Sequence, residues 1–362
     1  MSDEGSEREV FGGLEGVPQP FERREVLGHD QAITSFLNTH KSGRMHHAWL
    51  ICGPRGIGKA TLAFQLARYL FQHPDGQNAS ETLSAADESD PDYRQIVSGG
   101  HPNLLHLAPP WDEKTKKFKT RLTVDEVRKV NQFYGLTAGA GGWRITIVDT
   151  ADDMNANAAN ALLKTLEEPP KNSLFFVLSN RPGRLLPTIR SRCRKLTLSP
   201  LNQDVISQIC TAPDMEIGEA DATTIANAAM HSEGSVRRAI EMLRGNGLQF
   251  QSIFEKTVQA PRGSTPDWLA IHDLADRLAN RTNAADYELF VEMLQNFIGL
   301  QVRLGAVGDV GPGGADIETL ARWSEVWDKT RETASAAEIY NLDKKQVVLS
   351  AFQALTEMRR AV

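Results

Sequence analysis

One glycine-rich stretch of this sequence has the residue types and the spacing to bind the phosphates of a nucleotide. It reads Gly53-Pro-Arg-Gly56-Ile-Gly58-Lys59, and it lies between a predicted buried strand and a predicted helix. In that context, backbone N–H groups and the helix N-terminus can hold phosphates, and the lysine ammonium can reach the outer ones. We therefore predict a phosphate-binding loop with contacts from Gly53, Gly56, Gly58 and Lys59. A tight glycine-rich turn without a ligand is the alternative.

Two positions of the predicted nucleotide site lack the side chains that hydrolysis requires. A Ser or Thr should follow the lysine, because its hydroxyl helps to hold Mg²⁺, but this chain has Ala60. The second half of such a site is an apolar strand ending in Asp-Glu, whereas residues 145–148 are followed by Asp149 and Thr150. The carboxylate that assists the metal is present, but threonine cannot act as a general base at neutral pH. We predict that ATP or ADP can bind here without turnover.

The bulk composition is that of a soluble globular protein with two or three domains. The 362 residues are 41% hydrophobic and 24% charged, and the net charge is -6, so any DNA contact must come from a local patch. Because no apolar run could span a membrane and the first residues do not resemble a signal peptide, we predict a cytoplasmic protein. Cys52, Cys193 and Cys210 are too scattered for a disulfide framework or a four-thiolate site, so no zinc is expected.

Alternating strand and helix signals run from about residue 48 to residue 198. Helices are predicted after the phosphate loop and around 123–134 and 156–167. This alternation predicts an α/β fold with a parallel sheet that is covered on both faces. After Pro200 the pattern is helical. The predicted strands are five short apolar runs, at 48–52, 104–107, 144–148, 174–178 and 195–198.

The chain is predicted to have a flexible tail and three domains. The stretch 259–266 contains two prolines and is the predicted linker to the last domain, in which residues 308–314 are a predicted loop. Aromatic residues of the last domain, Trp268 included, are predicted to pack in its core. The predicted boundaries are 1–25 for the tail, 26–199 for the nucleotide-binding domain, 200–260 for a helical lid domain and 261–362 for a helical C-terminal domain.

Several polar residues near these motifs are predicted to be structural. The stretch 73–100 has six acidic residues and little to bury, which indicates a surface excursion. Asp152 and Asp153 are predicted to cap the helix that follows them. His101 and His106 flank one strand without thiolate partners, which is more typical of structural histidines than of a metal site.

Four further motifs resemble those of the bacterial clamp-loader AAA+ family. The similarity spans about residues 27–243, with a weaker echo at 341–345. It implies a AAA+ P-loop NTPase domain, a small helical lid domain and an all-α collar domain. The motifs are His46-His47-Ala48-Trp49-Leu50 before the phosphate loop, Asn157-Ala-Ala-Asn-Ala-Leu-Leu-Lys164-Thr-Leu-Glu-Glu-Pro-Pro170, Ser191-Arg192-Cys193 and Gly234-Ser-Val-Arg237.

The resemblance also implies roles for individual residues. In that family the arginine of Ser-Arg-Cys is supplied to ATP bound by the adjacent subunit, so Arg192 is implied to act in trans. Ser179 and Asn180 occupy the place of the first sensor of the terminal phosphate. Arg237 occupies that of the second sensor, with simple packing as an equal alternative. Cys193 is predicted to be a small buried residue and not a nucleophile, because no paired histidine is evident.

The function implied by the resemblance is that of a DNA polymerase III clamp-loader subunit, which helps to load the sliding clamp onto primed DNA during replication. The implied partners are gamma/tau and delta subunits, with the clamp and primer–template DNA reached through the complex. An ATP-hydrolysing gamma/tau-type subunit is the alternative. It requires a Ser or Thr after Lys59, a Glu after Asp149 and usually zinc-binding cysteines, which this sequence lacks. A small-molecule kinase fits Ser-Arg-Cys and the helical C-terminal region poorly.

A concentrated basic patch follows Trp111 and leads into the next predicted helix. Within a spiral of subunits around DNA, its side chains could contact backbone phosphates, and each contact would add salt-sensitive affinity. A solvated hairpin is the alternative that we favour, since charge runs are common on exposed loops. The candidate DNA contacts are Lys116, Lys117, Lys119, Arg121 and Arg128.

Overall fold

The computed structural model describes residues 11–114, 116–135, 142–261, 264–307, 317–340 and 343–361. It divides into two compact units, Met1–Ala239 and Ile240–Val362. The three-domain division stays a prediction. The predicted loop at 308–314 lies outside the described residues, as do the first ten residues of the predicted tail and the first two of the 341–345 motif.

A five-stranded parallel sheet forms the centre of the first unit. The strands are β1 (Ala48–Cys52), β2 (Leu104–Leu107), β3 (Trp111–Asp112), β4 (Lys117–Phe118), β5 (Arg144–Val148), β6 (Ser173–Ser179) and β7 (Arg194–Thr197). The sheet order is β2-β5-β6-β1-β7, while β3 and β4 form a separate antiparallel hairpin. The predicted α/β fold with a parallel sheet is thereby confirmed.

Helices cover both faces of this sheet. The helices of this region are α1 (Asp30–Lys41), α2 (Lys59–Gln72), α3 (Pro91–Ser98), α4 (Val124–Gly135), α5 (Ala156–Glu167), α6 (Pro187–Arg192), α7 (Gln203–Cys210), α8 (Ala222–His231) and α9 (Val236–Arg244). Because successive strand residues point to opposite faces, Trp49 packs in the core on the side of α1 and α2, and Leu50 in the core on the side of α4, α5 and α6.

The central strands are buried along their whole length. All five residues of β1 and all seven of β6 are buried, which explains why both read as nearly continuous apolar runs and not as alternating patterns. Their parallel pairing places Cys52 opposite Ser179, at the carboxyl ends of both strands. The segments that follow these two strands therefore meet at one edge of the sheet.

The polar stretch at 73–100 is attached to the first unit by buried contacts, so the prediction that it has little to bury is wrong. Arg68 of α2 is 3% exposed, donates to Ser84 O and lies 3.7 Å from Asp90 Oδ2. The acidic composition was misleading because Asp90 serves as the partner of Arg68 and also as the N-cap of α3. Three apolar side chains of the stretch are buried, those of Ala79, Ala86 and Ile96.

The second unit is helical, as the sequence predicts. Its core contains a cluster of aromatic rings, in which the ring centroids of Phe254 and Phe290 lie 5.4 Å apart. Trp268 is an exception and the prediction for it is wrong, because it is the first residue of a helix whose first buried position is Ile271, and it is 36% exposed. No helix in the described ranges is both long and apolar enough to cross a membrane. The helices are α10 (Gly247–Gln259), α11 (Trp268–Ala279), α12 (Ala284–Val307), α13 (Ile317–Tyr340) and α14 (Lys344–Ala361).

Candidate functional site

The predicted phosphate-binding loop joins the end of β1 to the start of α2. Gly56 and Gly58 have positive φ values of 77° and 96°, which glycine adopts without strain. Gly53 is required by close packing, because a Cβ there would lie 2.8 Å from Leu198 O. Since α2 begins at Lys59, its first backbone N–H groups lie at the loop. This is the local geometry that holds phosphates.

The side chain of Lys59 folds onto the loop itself. Its Nζ donates to Gly53 O at 2.9 Å and to Pro54 O at 2.5 Å, and the residue is 6% exposed. Burial lowers the pKa of the ammonium to about 8, although the carboxylates of Asp149 and Asp152 oppose this shift. A phosphate bound at the loop would give the ammonium a further counter-charge. The loop and Lys59 therefore fit the phosphates of a nucleotide.

The carboxyl ends of three strands meet beside the loop. Gly53 N donates to Ser179 O at 3.2 Å, which attaches the predicted sensor at the end of β6 to the first loop residue. Asp149 follows β5, and its Oδ2 lies 3.6 Å from Nε2 of His106 on β2. Sequence reasoning did not pair these two residues. Among the residues that the structure describes, no group of three or more His, Cys, Asp or Glu side chains could hold a metal ion.

Asp152 does not cap a helix, so the prediction for it is wrong. Its carboxylate accepts hydrogen bonds from Ser179 Oγ at 2.7 Å and from the backbone N–H groups of the two following residues, Asn180 and Arg181. The N-cap of α5 is Asn155. A signal for this contact existed, because a carboxylate after β5 and a hydroxyl at the end of β6 lie at the same edge of a parallel sheet. Asp152 thus connects the ends of the adjacent strands β5 and β6 beside the loop.

The neighbouring Thr150 has a structural contact in place of a catalytic one. Its Oγ1 donates to Asp153 Oδ2 at 2.7 Å, so Asp153 is not a helix cap either. Burial raises the pKa of the Asp153 carboxyl, and the charges of Asp152 and Asp149 act in the same direction, whereas the hydrogen bond from Thr150 opposes it. The position at which an active site would polarise water is therefore a hydroxyl that donates to a carboxylate.

Arg237, predicted to be a second sensor or a packing residue, lies directly against the loop. Its backbone N donates to Gly56 O at 3.3 Å, and a Cβ on Gly56 would collide with the Cβ of Arg237. The adjacent Ser235 Oγ donates to Arg55 O at 2.9 Å. The guanidinium donates to Gly12 O. The structure therefore brings Arg237 to the predicted nucleotide site.

The Ser-Arg-Cys motif presents its arginine at the surface. Arg192 Nη2 lies 2.7 Å from Glu167 Oε1, Nη1 donates to Thr188 O at 3.0 Å, and the arginine side chain is 35% exposed. Sequence reasoning missed Glu167 as its partner. Burial raises the pKa of the adjacent Cys193 to about 12, so this partly buried thiol is protonated at neutral pH.

Arg192 and the phosphate loop lie at opposite edges of the sheet. The loop follows the carboxyl end of β1, whereas β7 starts two residues after Arg192. β1 and β7 run parallel, and Trp49 pairs with Arg194 near the amino edge of the sheet. From there to the start of the loop is about four residues of strand, or roughly 13 Å. Arg192 is therefore separated from the loop of its own chain.

The basic patch forms the β3–β4 hairpin, as the favoured alternative predicts. The rings of Trp111 and Phe118 pack edge-on across it, with centroids 5.0 Å apart. Arg128, on α4, is paired with Asp125 at 2.9 Å. Contact with DNA stays a prediction. The five candidate side chains are exposed, namely Lys116, Lys117, Lys119, Arg121 and Arg128.

Comparison with known proteins identified relatives of the region that carries this geometry. A family model described as "DNA polymerase III, delta subunit" matches residues 28–202. The DNA polymerase III subunit delta' of Pseudomonas aeruginosa is 40% identical over 148 residues, which are 41% of this chain and 41% of that protein. The delta' subunit of Escherichia coli K12 is 34% identical over 236 residues, 64% of this chain and 65% of that protein. The DNA polymerase III subunit gamma of Buchnera aphidicola is 30% identical, covering 64% of this chain and 61% of that protein.

These matches cover part of each protein. The chain spans between 41% and 65% of the length of the three relatives. The family model covers the five strands of the sheet, the phosphate loop and Arg192. The family resemblance that the motifs predicted is thereby confirmed. Over residues 28–202, this chain is similar to the family described as "DNA polymerase III, delta subunit", and its relatives include delta' subunits.

Proposed function

We propose that this chain is a cytoplasmic delta'-type subunit of a DNA polymerase III clamp loader. It would assemble with gamma/tau and delta subunits, help to load the sliding clamp onto primed DNA and supply Arg192 to ATP bound by the neighbouring subunit. The observation that carries the proposal is a contrast between two sites. The chain's own nucleotide site has Ala60 and Thr150 at catalytic positions, whereas Arg192 is partly exposed at the opposite edge of the sheet.

In the chain's own site, bound ATP or ADP would supply negatively charged phosphates. The backbone N–H groups of the loop and the ammonium of Lys59 would hold them. Arg237 lies against the loop and Ser179 accepts from its first residue, so both are placed to respond to an occupied site. Thr150 donates its hydroxyl to Asp153 and does not activate water. The site is therefore proposed to hold nucleotide without hydrolysing it.

In the neighbour's site, Arg192 would act as a charge-stabilising residue. A guanidinium stabilises the charge that spreads over a transferred phosphoryl group, and its planar donors fit phosphate oxygens. The contact with Glu167 holds the side chain in place before it is used. Because this pair is half exposed, it contributes at most about 1 kcal/mol. Arg192 can therefore exchange its contact with Glu167 for a contact with a phosphate at little cost in free energy.

Phosphate release by the purified chain, alone and in a reconstituted loader, tests this function. Alone, the chain is expected to release no phosphate from ATP above the buffer control. With gamma/tau and delta subunits it should co-elute as one complex that loads the clamp onto primed DNA. Turnover by the isolated chain would instead support a hydrolysing gamma/tau-type subunit. Failure to enter the complex would refute the loader assignment.

The affinity of the isolated chain for ADP is expected to fall as the pH rises above 8. Burial holds the pKa of Lys59 at about 8, and only the protonated ammonium attracts phosphates. At about pH 9 roughly one-tenth of the molecules keep this charge, so the Kd rises about tenfold relative to neutral pH. Calorimetry in two buffers of different ionisation enthalpy should also show proton uptake on binding. A Lys59→Arg control, which stays charged, should lose this dependence; equal slopes for both proteins would contradict the assignment.

Removal of the hairpin lysines is expected to weaken the salt dependence of DNA binding by the loader. Each lost phosphate contact changes the slope of log K against log salt by about 0.9, so replacement of Lys116, Lys117 and Lys119 by alanine should change it by up to about 2.7. Fluorescence anisotropy with primed DNA at several salt concentrations measures the slope. Lys171→Ala is the control, because Lys171 is an exposed lysine outside the hairpin and is not among the candidate DNA contacts. An unchanged slope in the triple variant would support a solvated hairpin.

A further inference from the structure

Residues 11–24, here called the N-terminal strap, lie beside the phosphate loop. The Phe11 ring packs edge-on against Phe118 of the β3–β4 hairpin, with centroids 5.7 Å apart. The next residue, Gly12, accepts a hydrogen bond through its carbonyl from the guanidinium of Arg237. Arg237 in turn lies against Gly56 of the loop. The beginning of the strap is thus placed between the hairpin and the residue that flanks the loop.

The other end of the strap is firmly attached to the first unit. Phe21 is 5% exposed and its ring packs against Phe64 of α2 at 5.7 Å. Arg23 pairs with Asp214 at 2.9 Å, and Gln65 of α2 donates to Arg23 O. These contacts hold the end of the strap on the first unit even when residues 11–16 change conformation.

Residues 11–16 are held much more weakly than this attached end. Gly12, Gly13, Glu15 and Gly16 are exposed, and Gly12 and Gly16 have positive φ values of 73° and 59°. Gly16 O accepts from Glu216 N at 2.9 Å. Few apolar contacts and exposed hydrogen bonds mark a segment that opens locally at low free-energy cost. Residues 11–16 can therefore move away from the loop while the rest of the strap stays attached.

In this conformation backbone carbonyls accept hydrogen bonds from two of the cations that are predicted to contact the nucleotide. Arg237 donates to Gly12 O, and Lys59 donates to Gly53 O and Pro54 O. A guanidinium held by a strap carbonyl must give up that bond before it can turn to a phosphate. We propose that residues 11–16 form an autoinhibitory contact that lowers the affinity of the nucleotide site, and that their release raises it. This inference rests on the proposed role of the loop as a nucleotide holder.

Nucleotide binding by full-length variants tests the contact. Gly16→Ala should dislodge the strap, because the new Cβ would lie 2.5 Å from Glu216 Oε2 and 2.9 Å from its Cβ. Phe11→Ala removes the ring contact with Phe118. The matched control is Gly218→Ala, at a position with a similar φ of 85° and nothing within 4 Å of the new Cβ. None of these residues belongs to the nucleotide site.

The two strap variants are expected to bind a fluorescent ADP analogue about tenfold more tightly than the wild type and the control, as for a site that is closed about nine-tenths of the time. By reciprocity, ADP should accelerate amide hydrogen exchange of residues 11–17 in the wild-type chain. Equal affinities in all four proteins would overturn the inference, and so would slower or unchanged exchange.

Absence of binding in every protein would also overturn it, together with the nucleotide-holding role of the loop. The loader assignment would survive that result, because it depends on assembly and on Arg192. The two failures are therefore distinguishable.

Discussion

Arg192→Ala is expected to abolish ATP hydrolysis at one neighbouring site of the reconstituted loader while the complex stays assembled. An arginine supplied in trans accelerates hydrolysis by a factor of about 10³–10⁵, so a single-turnover assay should detect no hydrolysis at the affected site. Assembly should persist, because Arg192 contacts Glu167 and Thr188 within its own chain through a half-exposed pair. Clamp loading should fall with the lost hydrolysis. Phosphate release and clamp loading, measured on the same preparation, report both effects.

Arg190→Ala is the matched control for this experiment. Arg190 lies two residues earlier on the same short helix, α6, and is exposed. Its removal changes the local charge by the same amount without touching the Ser-Arg-Cys arginine. Hydrolysis by the Arg190 variant should be within about twofold of the wild type, as for ordinary surface changes. Normal hydrolysis in the Arg192 variant, or an equal loss in both, would refute the trans role.

Arg68→Met is expected to lower the free energy of unfolding by about 3–5 kcal/mol, because it leaves a mostly buried carboxylate without its cation. The side chains of Arg68 and Asp90 are 3% and 10% exposed, and Arg68 also donates to Gln65 Oε1 at 3.0 Å and to Ser84 O. Methionine retains most of the aliphatic volume but none of the donors. Urea denaturation followed by circular dichroism measures the loss.

Arg24→Met provides the comparison in the same region. Arg24 pairs with Glu88 of the same polar stretch, but their side chains are 55% and 76% exposed. Such pairs contribute about 0–1 kcal/mol, so this variant should unfold close to the wild type. If both variants lose the same stability, the stretch at 73–100 is held by its apolar side chains and not by the buried ion pair.

The sheet and the phosphate loop could be predicted because their signals are local. Buried strands such as β1 are continuous apolar runs, and Gly56 and Gly58 occupy positions whose positive φ values favour glycine. The role of Asp152 could not be read in this way. Its partners lie at the end of β6, so the contact depends on the pairing of β5 with β6, which a local sequence pattern does not show.

The partner of Arg192 was missed for a similar reason. Glu167 is 25 residues away along the chain, and the contact requires the ends of α5 and α6 to be adjacent. The residue types around Arg190, Arg192 and Arg194 do not indicate which of these arginines acts in trans. Only the resemblance of Ser191-Arg192-Cys193 to the family motif selected Arg192. The stretch at 73–100 was misjudged because composition counts carboxylates without showing that Asp90 faces a buried arginine.

The placement of the phosphate loop and Arg192 at opposite edges of the sheet gives the chain a direction. If, as proposed, the chain receives nucleotide at one edge and offers Arg192 to a neighbour from the other, each contact with a neighbour would join two different surfaces. Repeated head-to-tail contacts of this kind generate rings or helical arrays. Because backbone pairing of β1 with β7 sets the separation, side-chain substitutions can silence either edge but leave the polarity of the array unchanged.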